Sequence, residues 1–371
     1  MPYLFDNLLV SSPNGGGLLF IHRDQAFHLD MINTTGISLN GSTLLRGLQP
    51  QGLVLYKDQR VEQYDVPHIH DIHDVLLAEP YLYTVGTTGN EILQLDEHAE
   101  EVRRWTFAGG QDAKHLNCLT LWNQRLVFSA FGDFTGPRQY KDNTDQAGFV
   151  QDLHSGERLI NGLSQPHSLC AVGEHLLLAN SENKELHEYD SSGLLLRSKL
   201  LQGYTRGICV QNGKIYIGLS RSRNIDGNAL SSARLVVLDS QSWQELGCID
   251  LPVPEVYSIL GIEDPDIIPG LLASISQHAS SRYQHSINER DIKLQALAEY
   301  SAQQKQLIAS LEQQLREQLA SPLGLLAERD AALTAVNQRY DEVRHQYGQL
   351  LSSNSWLLTQ PFRNIRRWLR L

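Results

Sequence analysis

The sequence predicts a mainly β fold, a six-bladed β-propeller over residues 1–280, followed by a helical coiled-coil segment (285–352) and a short amphipathic helix (355–371). Three observations predict it. Strand-like runs punctuated by Gly, Asn, Asp and Ser fill the first two thirds of the chain; similar units recur there; and composition turns abruptly to Gln, Glu, Ala, Leu and Arg near residue 285.

The clearest unit, HDVLLAEPYLYTVGTTGNEILQLD, runs from His73 to Asp96. It reads as strand, turn, strand, Gly/Asn turn and a third strand closing on Asp. HSLCAVGEHLLLANSENKELHEYD, from His167 to Asp190, has the same length and the same closing Asp. RGICVQNGKIYIGLSRSRN from Arg206 repeats the opening, then a longer loop leads to RLVVLD at Asp239. NCLTLWNQRLVFSAFGD from Asn117 also precedes an expanded loop. TGISLNGSTLLRGLQPQGLVLY from Thr35 and YSILGIEDPDIIPGLLAS from Tyr257 are weaker members. Six units, each too small to bury its own apolar faces, suit blades arranged around an axis. The early strands GLLFIH and QAFHLD are expected to complete the last blade, so that N-terminal and C-terminal sequence close the ring and remove its open edges.

In the helical segment, Leu333, Val336, Tyr340, Val343, Tyr347 and Leu350 alternate three and four apart, the spacing of a coiled-coil seam and a route to a homo-oligomer. Pro322 and Gly324 interrupt the helix before it. The final stretch, SNSWLLTQPFRNIRRWLRL, places Pro361 where a helix can start. Trp356, Phe362 and Trp368 are its aromatics; Arg363, Arg366, Arg367 and Arg370 carry its charge with no acid to offset them. In a chain of net charge -11 this reads as a helix lying in an anionic membrane interface.

That acidic balance argues against duplex nucleic acid as a partner. Four scattered cysteines form no CxxC pair, so reduced core thiols are expected. No secretory leader or bilayer-spanning run is seen, which places the protein in the cytoplasm, peripheral on the inner face of the membrane.

Residues opening each repeat should ring the central channel: Thr35, His73, Asn117, His167, Arg206 and Tyr257, all polar, each followed by an apolar strand residue. Two imidazoles, a guanidinium, an amide and a phenol would favour an anionic sugar, a nucleotide sugar or a glycan. His73 and His167 are the acid and base if the protein is an enzyme; Asn117, Arg206, Tyr257 and Asp74 are the binding residues. The alternative is a structural ring whose members bond one another and channel water. His68, His70, His73 and Asp74 resemble a metal cluster, but strand alternation turns His73 away from the others, so no metal is assigned and Asp74 is expected to accept N–H groups. Asn180, Glu182 and Asn183 could reach the channel mouth or simply make a turn. Phosphate-loop, nucleophile-elbow, HExxH and dinucleotide signatures are missing.

HDIHDV, KHLNCLTL, GLSQPHSL, LLLANSENKEL, GYTRGI and IYIGLSRSR, in this order, resemble an uncharacterised bacterial family of conserved hypothetical β-propeller proteins. The tail SNSWLLTQPFRNIRRWLR is similar to the ends of bacterial surface-polysaccharide (O-antigen or capsule) biosynthesis enzymes, with Leu357 where those tails carry Arg. Together the resemblances imply a peripheral membrane protein of polysaccharide assembly, working with glycosyltransferases. Three roles remain open: a carbohydrate-binding propeller, a glycan-modifying transferase, lyase or hydrolase, and a non-catalytic assembly scaffold.

Overall fold

The computed structural model describes residues 3–220, 232–319, 326–353 and 356. The chain divides into two compact units, Met1–Tyr283 and Gln284–Leu371.

The first unit is a six-bladed propeller of four-stranded antiparallel sheets. Five blades are continuous in sequence and open on the inner strands Thr34–Asn40, Ile72–Ala78, Leu116–Trp122, Pro166–Val172 and Tyr204–Gln211. The sixth is composite. Its innermost strand, Ser258–Gly261, pairs with Leu8–Ser12, which pairs in turn with Gly17–His22 and Gln25–Asp30. GLLFIH and QAFHLD thus close the ring as the sequence predicts. Inner strands touch their neighbours all the way around the axis.

The aspartate that recurs at the end of third strands has a local cause. Asp96 Oδ1 accepts the N–H groups of His98 and Glu100; Asp190 Oδ1 accepts those of Ser192 and Leu194; Asp239 Oδ1 accepts those of Gln241 and Ser242. Each carboxylate satisfies the donors of the turn into the outermost strand, which would otherwise be left to water. Between blades, apolar faces interlock: Leu45, Leu53, Ile72, Val75 and Leu93 form one such layer, and Ile208, Ile217, Leu177 and Trp243 belong to another.

The sequence reading needs correction at the end of the ring. Only SILG of the last repeat is a strand. A 3-10 turn follows at Pro265–Ile267, and helix α1 runs Ile268–Leu319, starting well before the composition changes. IIPGLLAS reads as an apolar strand, but Asp264 caps the turn by accepting Asp266 N–H, and Pro265 fixes the first helical φ. Leu271 and Ile275 then bury against Leu44, Val54 and Leu9. Beneath them Arg46, fully buried, makes two 2.7 Å bonds to Asp30 and meets Tyr56, whose hydroxyl lies 2.7 Å from His278 Nδ1 on α1.

In the second unit α1 continues and helix α2 spans Leu326–Leu351. Pro322 and Gly324 lie outside the described residues, as do Phe362, Arg363, Arg366, Arg367, Trp368 and Arg370. Trp356 is described: the Arg290 guanidinium sits 5.7 Å from the centre of its ring. No described helix is long and apolar enough to cross a membrane.

Candidate functional site

In all five continuous blades the inner strand slips register where the repeat begins, between Thr34 and Ile37, Ile72 and Asp74, Leu116 and Leu119, His167 and Leu169, and Arg206 and Ile208. A bulge of this kind sets two residues against one partner and re-aims their side chains. Two polar levels result.

The lower level belts blades together. Asp74 accepts the N–H groups of Val75 and Leu119, both at 2.9 Å; the Cys118 thiol accepts Ser168 N–H at 2.9 Å; the Ser168 hydroxyl accepts Gly207 N–H at 2.7 Å. The blade that opens on Thr34–Asn40 carries glycine at this level because a β-carbon on Gly36 would lie 2.2 Å from the Asp74 carboxylate. Burial pushes Asp74 up to about 7 despite the two backbone donors.

The upper level opens into a cavity of about 280 Å³ at one mouth of the channel. Its wall alternates charge. Asp71, Asp112 and Glu255 face Arg138 and Arg206, with His73 and His115 between them and Tyr140, Tyr204 and Tyr257 as flat faces. The His73 and His115 rings meet edge to face at 5.0 Å, and the His73 ring lies 6.0 Å from that of Tyr257.

His115 Nδ1 stands 2.7 Å from Asp112 Oδ1, while Asp112 Oδ2 accepts from Tyr140 Oη at 2.7 Å and Arg138 Nε at 3.0 Å. Burial lowers His115 to about 4, with the charges of His73 and Arg206 adding to it against the pull of Asp112. Burial alone would raise Asp112; hydrogen bonds from His115, Tyr140 and Arg138 outweigh it and hold the carboxyl below its ordinary range. Burial would likewise raise Asp71, but His73 holds it down at about 2. The dyad is therefore a neutral imidazole braced by a carboxylate.

Five of the fourteen lining residues, Asn14, Asp71, Asp112, His115 and Arg138, have φ between 48° and 61°. Asn and Asp visit this left-handed region readily; His and Arg do so at a cost, and such strain concentrates at working sites.

Of the residues expected to share the channel, His73, Arg206 and Tyr257 line the cavity. His167 and Asn117 lie behind it. His167 contacts Gln165 O and Ser181 Oγ through Nδ1, both at 2.9 Å, and Arg206 Nη2 through Nε2 at 2.8 Å, so neither nitrogen is left for catalysis. Tyr257 Oη donates to Asn117 Oδ1 at 3.3 Å. Asp74 does not reach the cavity and does not pair with His73, whose carboxylate neighbour is Asp71 at 3.5 Å; Thr35 donates to Ile72 O and is buried. Arg206 does not offer the open fork the sequence suggests. Nη1 is bonded to Glu255 at 3.0 Å, and Glu255 also accepts from Asn14.

His68 and His70 are exposed, and among the described residues no three His, Cys, Asp or Glu are placed to hold a metal ion. Asn180 accepts Ser164 N–H and Glu182 accepts from Thr144, so this turn braces neighbouring loops.

Sequence reasoning missed His115, Asp112, Asp71, Arg138 and Tyr140. DIH and DAKH, an acid two or three residues before a histidine, were the available signal. Arg138 and Tyr140 come from the expanded loop of the blade that opens on Leu116–Trp122, which the unequal repeat lengths already mark.

Residues 61–265, more than half of the chain, match the family described as Domain of unknown function (DUF4915). The chain belongs to the DUF4915 family. The match takes in every blade that supplies the His–Asp pairs, as well as Arg206 and Tyr257. No curated protein matches the chain. Among solved structures, this DUF4915 propeller is similar to a protein of unknown function from Bacteroides caccae, with a TM-score of 0.52 at 12% identity over 69% of this chain and 98% of that one. It is also similar to a chain of a nidogen/laminin complex, with a TM-score of 0.50 at 10% identity over 68% and 97%. At such identities the likeness is one of fold.

Proposed function

We propose that the axial cavity binds one sugar unit, free or at the end of a glycan, and that the protein serves bacterial surface-polysaccharide assembly. The observation that carries the binding reading is the alternation of carboxylates with nitrogen donors between tyrosine faces. A sugar hydroxyl donates and accepts at once, so this wall suits a ring of hydroxyls, and three acids against two guanidiniums give a purely anionic ligand no net attraction. About 280 Å³ is at the small end of ligand pockets, which start at roughly 300 Å³, and this suits one ring rather than a whole nucleotide sugar. The polysaccharide setting, with a membrane surface and glycosyltransferases as partners, rests on the resemblance of the tail and on its arginines.

A second reading is favoured by the His115–Asp112 pair. A neutral imidazole at the cavity wall, oriented by a carboxylate, is equipped to take a proton from a sugar hydroxyl, as a glycan-modifying enzyme requires.

Calorimetric titration of the purified chain with neutral and acidic monosaccharides and short glycans tests both. Binding that disappears in Tyr257→Ala and His115→Ala, with the propeller still folded, supports the site; retained binding but lost turnover in His115→Ala supports the enzyme. If no sugar binds below millimolar concentration, or if both variants bind as well as wild type, the proposal fails.

A further inference from the structure

Two imidazoles line the axial cavity, each with one nitrogen committed and one not. His115 turns Nδ1 to Asp112 at 2.7 Å; His73 turns Nδ1 to the carbonyl of Asp71 at 3.3 Å and to its carboxylate at 3.5 Å. Among the described residues neither Nε2 has a hydrogen-bond partner. The ring centres stand 5.0 Å apart with 83° between their planes, so the two Nε2 atoms can serve neighbouring oxygens of one sugar.

The two are not equivalent. Burial keeps His115 neutral, and the Asp112 carboxylate holds its one proton on Nδ1, which leaves Nε2 a lone-pair base. Asp71, ionised because His73 outweighs its burial, likewise holds a proton on His73 Nδ1, so His73 can donate from Nε2 only as the imidazolium. A base and an acid of the same ring type thus face one site. Carboxyl chemistry is closed off. Gln49 Nε2 bonds Asp71 at 2.9 Å, Tyr140 and Arg138 hold Asp112, and Arg206 and Asn14 hold Glu255. Displacement at a glycosidic carbon calls on two carboxyl groups free to act, one of them protonated, and this wall offers none.

We propose that the cavity interconverts the two anomers of a free sugar, with His115 as base and His73 as acid. This rests on the reading of the cavity as a site for one sugar ring, and it names the class: a reducing sugar, whose anomeric carbon carries a hydroxyl. His115 Nε2 takes the proton of that hydroxyl. The electron pair left on its oxygen forms the carbonyl as the bond from the anomeric carbon to the ring oxygen breaks, and the ring oxygen takes the proton of His73 Nε2. The open-chain aldehyde results. After the aldehyde rotates, the ring oxygen returns its proton to His73 and closes on the other face of the carbonyl, whose oxygen recovers its proton from His115. Nothing is oxidised or reduced, no group leaves, and both histidines end as they began. The reaction suits this geometry because the oxygen that loses a proton and the oxygen that gains one are bonded to the same carbon, so acid and base have to stand close together.

The test follows the anomeric proton signals of D-glucose, D-galactose, D-mannose, N-acetyl-D-glucosamine and D-glucuronate by exchange NMR with the full chain present, while calorimetry on the same samples measures binding. At least one sugar is expected to interconvert faster in proportion to protein, with a rate that saturates in sugar. His115→Asn and His73→Asn, whose amide nitrogen can stand in for Nδ1 but not for Nε2, should each slow the catalysed rate about a hundredfold or more while binding changes little. His115→Gln and His73→Gln take their place if an asparagine variant fails to fold. A sugar that binds but interconverts no faster than in buffer overturns the proposal and leaves the binding reading standing; if no sugar binds either, both fall. Acceleration undiminished in the variants also overturns it.

Discussion

Arg206 donates from Nη2 to Nε2 of His167 at 2.8 Å, while its Nη1 is bonded to Glu255 at 3.0 Å. All three groups are nearly buried, so the guanidinium is fixed on both sides before any ligand arrives. Arg206→Met should cost about 3–5 kcal/mol of stability, because it strips a buried carboxylate of its cation. Arg206→Lys should cost less, keeping the charge but losing the fork that reaches both partners. Urea unfolding measures both; a loss under about 1 kcal/mol for the methionine variant would show that the trio is not structurally important.

How much of this was legible in sequence depends on what each residue answers to. The blade count was legible, because strand period and turn chemistry are local and the closing aspartates of Asp96, Asp190 and Asp239 serve the same turn each time. Arg206 and His73 were found by aligning repeats, since the ring carries equivalent positions to one axis. His115 was not, because alignment puts Asn117 in the equivalent place, and a bulge two residues wide decides which of them reaches the cavity. Arg138 and Tyr140 escaped for another reason. They sit in a loop without counterpart in other blades, where no repeat can vouch for them. The start of α1 was misplaced because an apolar run of strand length does not reveal its period; the cap at Asp264 and the packing of Leu271 settle it.

The cysteines give a chemical map of the ring. All four are free, but Cys248 is exposed, against the expectation of core thiols throughout, because it lies on an outermost strand whose side chains alternate outward. Burial pushes Cys170 up to about 11, Cys209 up to about 12 and Cys118 higher still. Only the thiolate attacks an alkylating agent, so access and ionisation act together. Iodoacetamide at neutral pH should label Cys248 first and Cys170 slowly, leaving Cys118 and Cys209 until the chain is unfolded. Peptide mass spectrometry over time reads the order, and Cys118 labelling alongside Cys248 would mean that the axial belt opens readily.

Acid should weaken the propeller through its buried histidines, and His278 isolates the effect. Burial, with the neighbouring Arg46 and Arg282 charges, lowers His278 to about 4, below the roughly 6.5 of an unfolded chain. The unfolded state therefore takes the proton first as pH falls. His278 contributes its full stability above about pH 6.5 and loses it progressively down to about 4, some 2 kcal/mol of it by pH 5. His115 and His167, also lowered by burial, act in the same direction. Asp74 opposes them. Raised to about 7, it takes its proton first in the folded state and so adds stability over part of the same range. Because Gln carries no proton to gain yet can still accept from Tyr56 Oη, His278→Gln removes one histidine term and leaves the rest in place. Wild type should lose about 2 kcal/mol more than this variant between pH 7.5 and 5.0 in urea unfolding. Parallel profiles for the two proteins would place the acid sensitivity elsewhere.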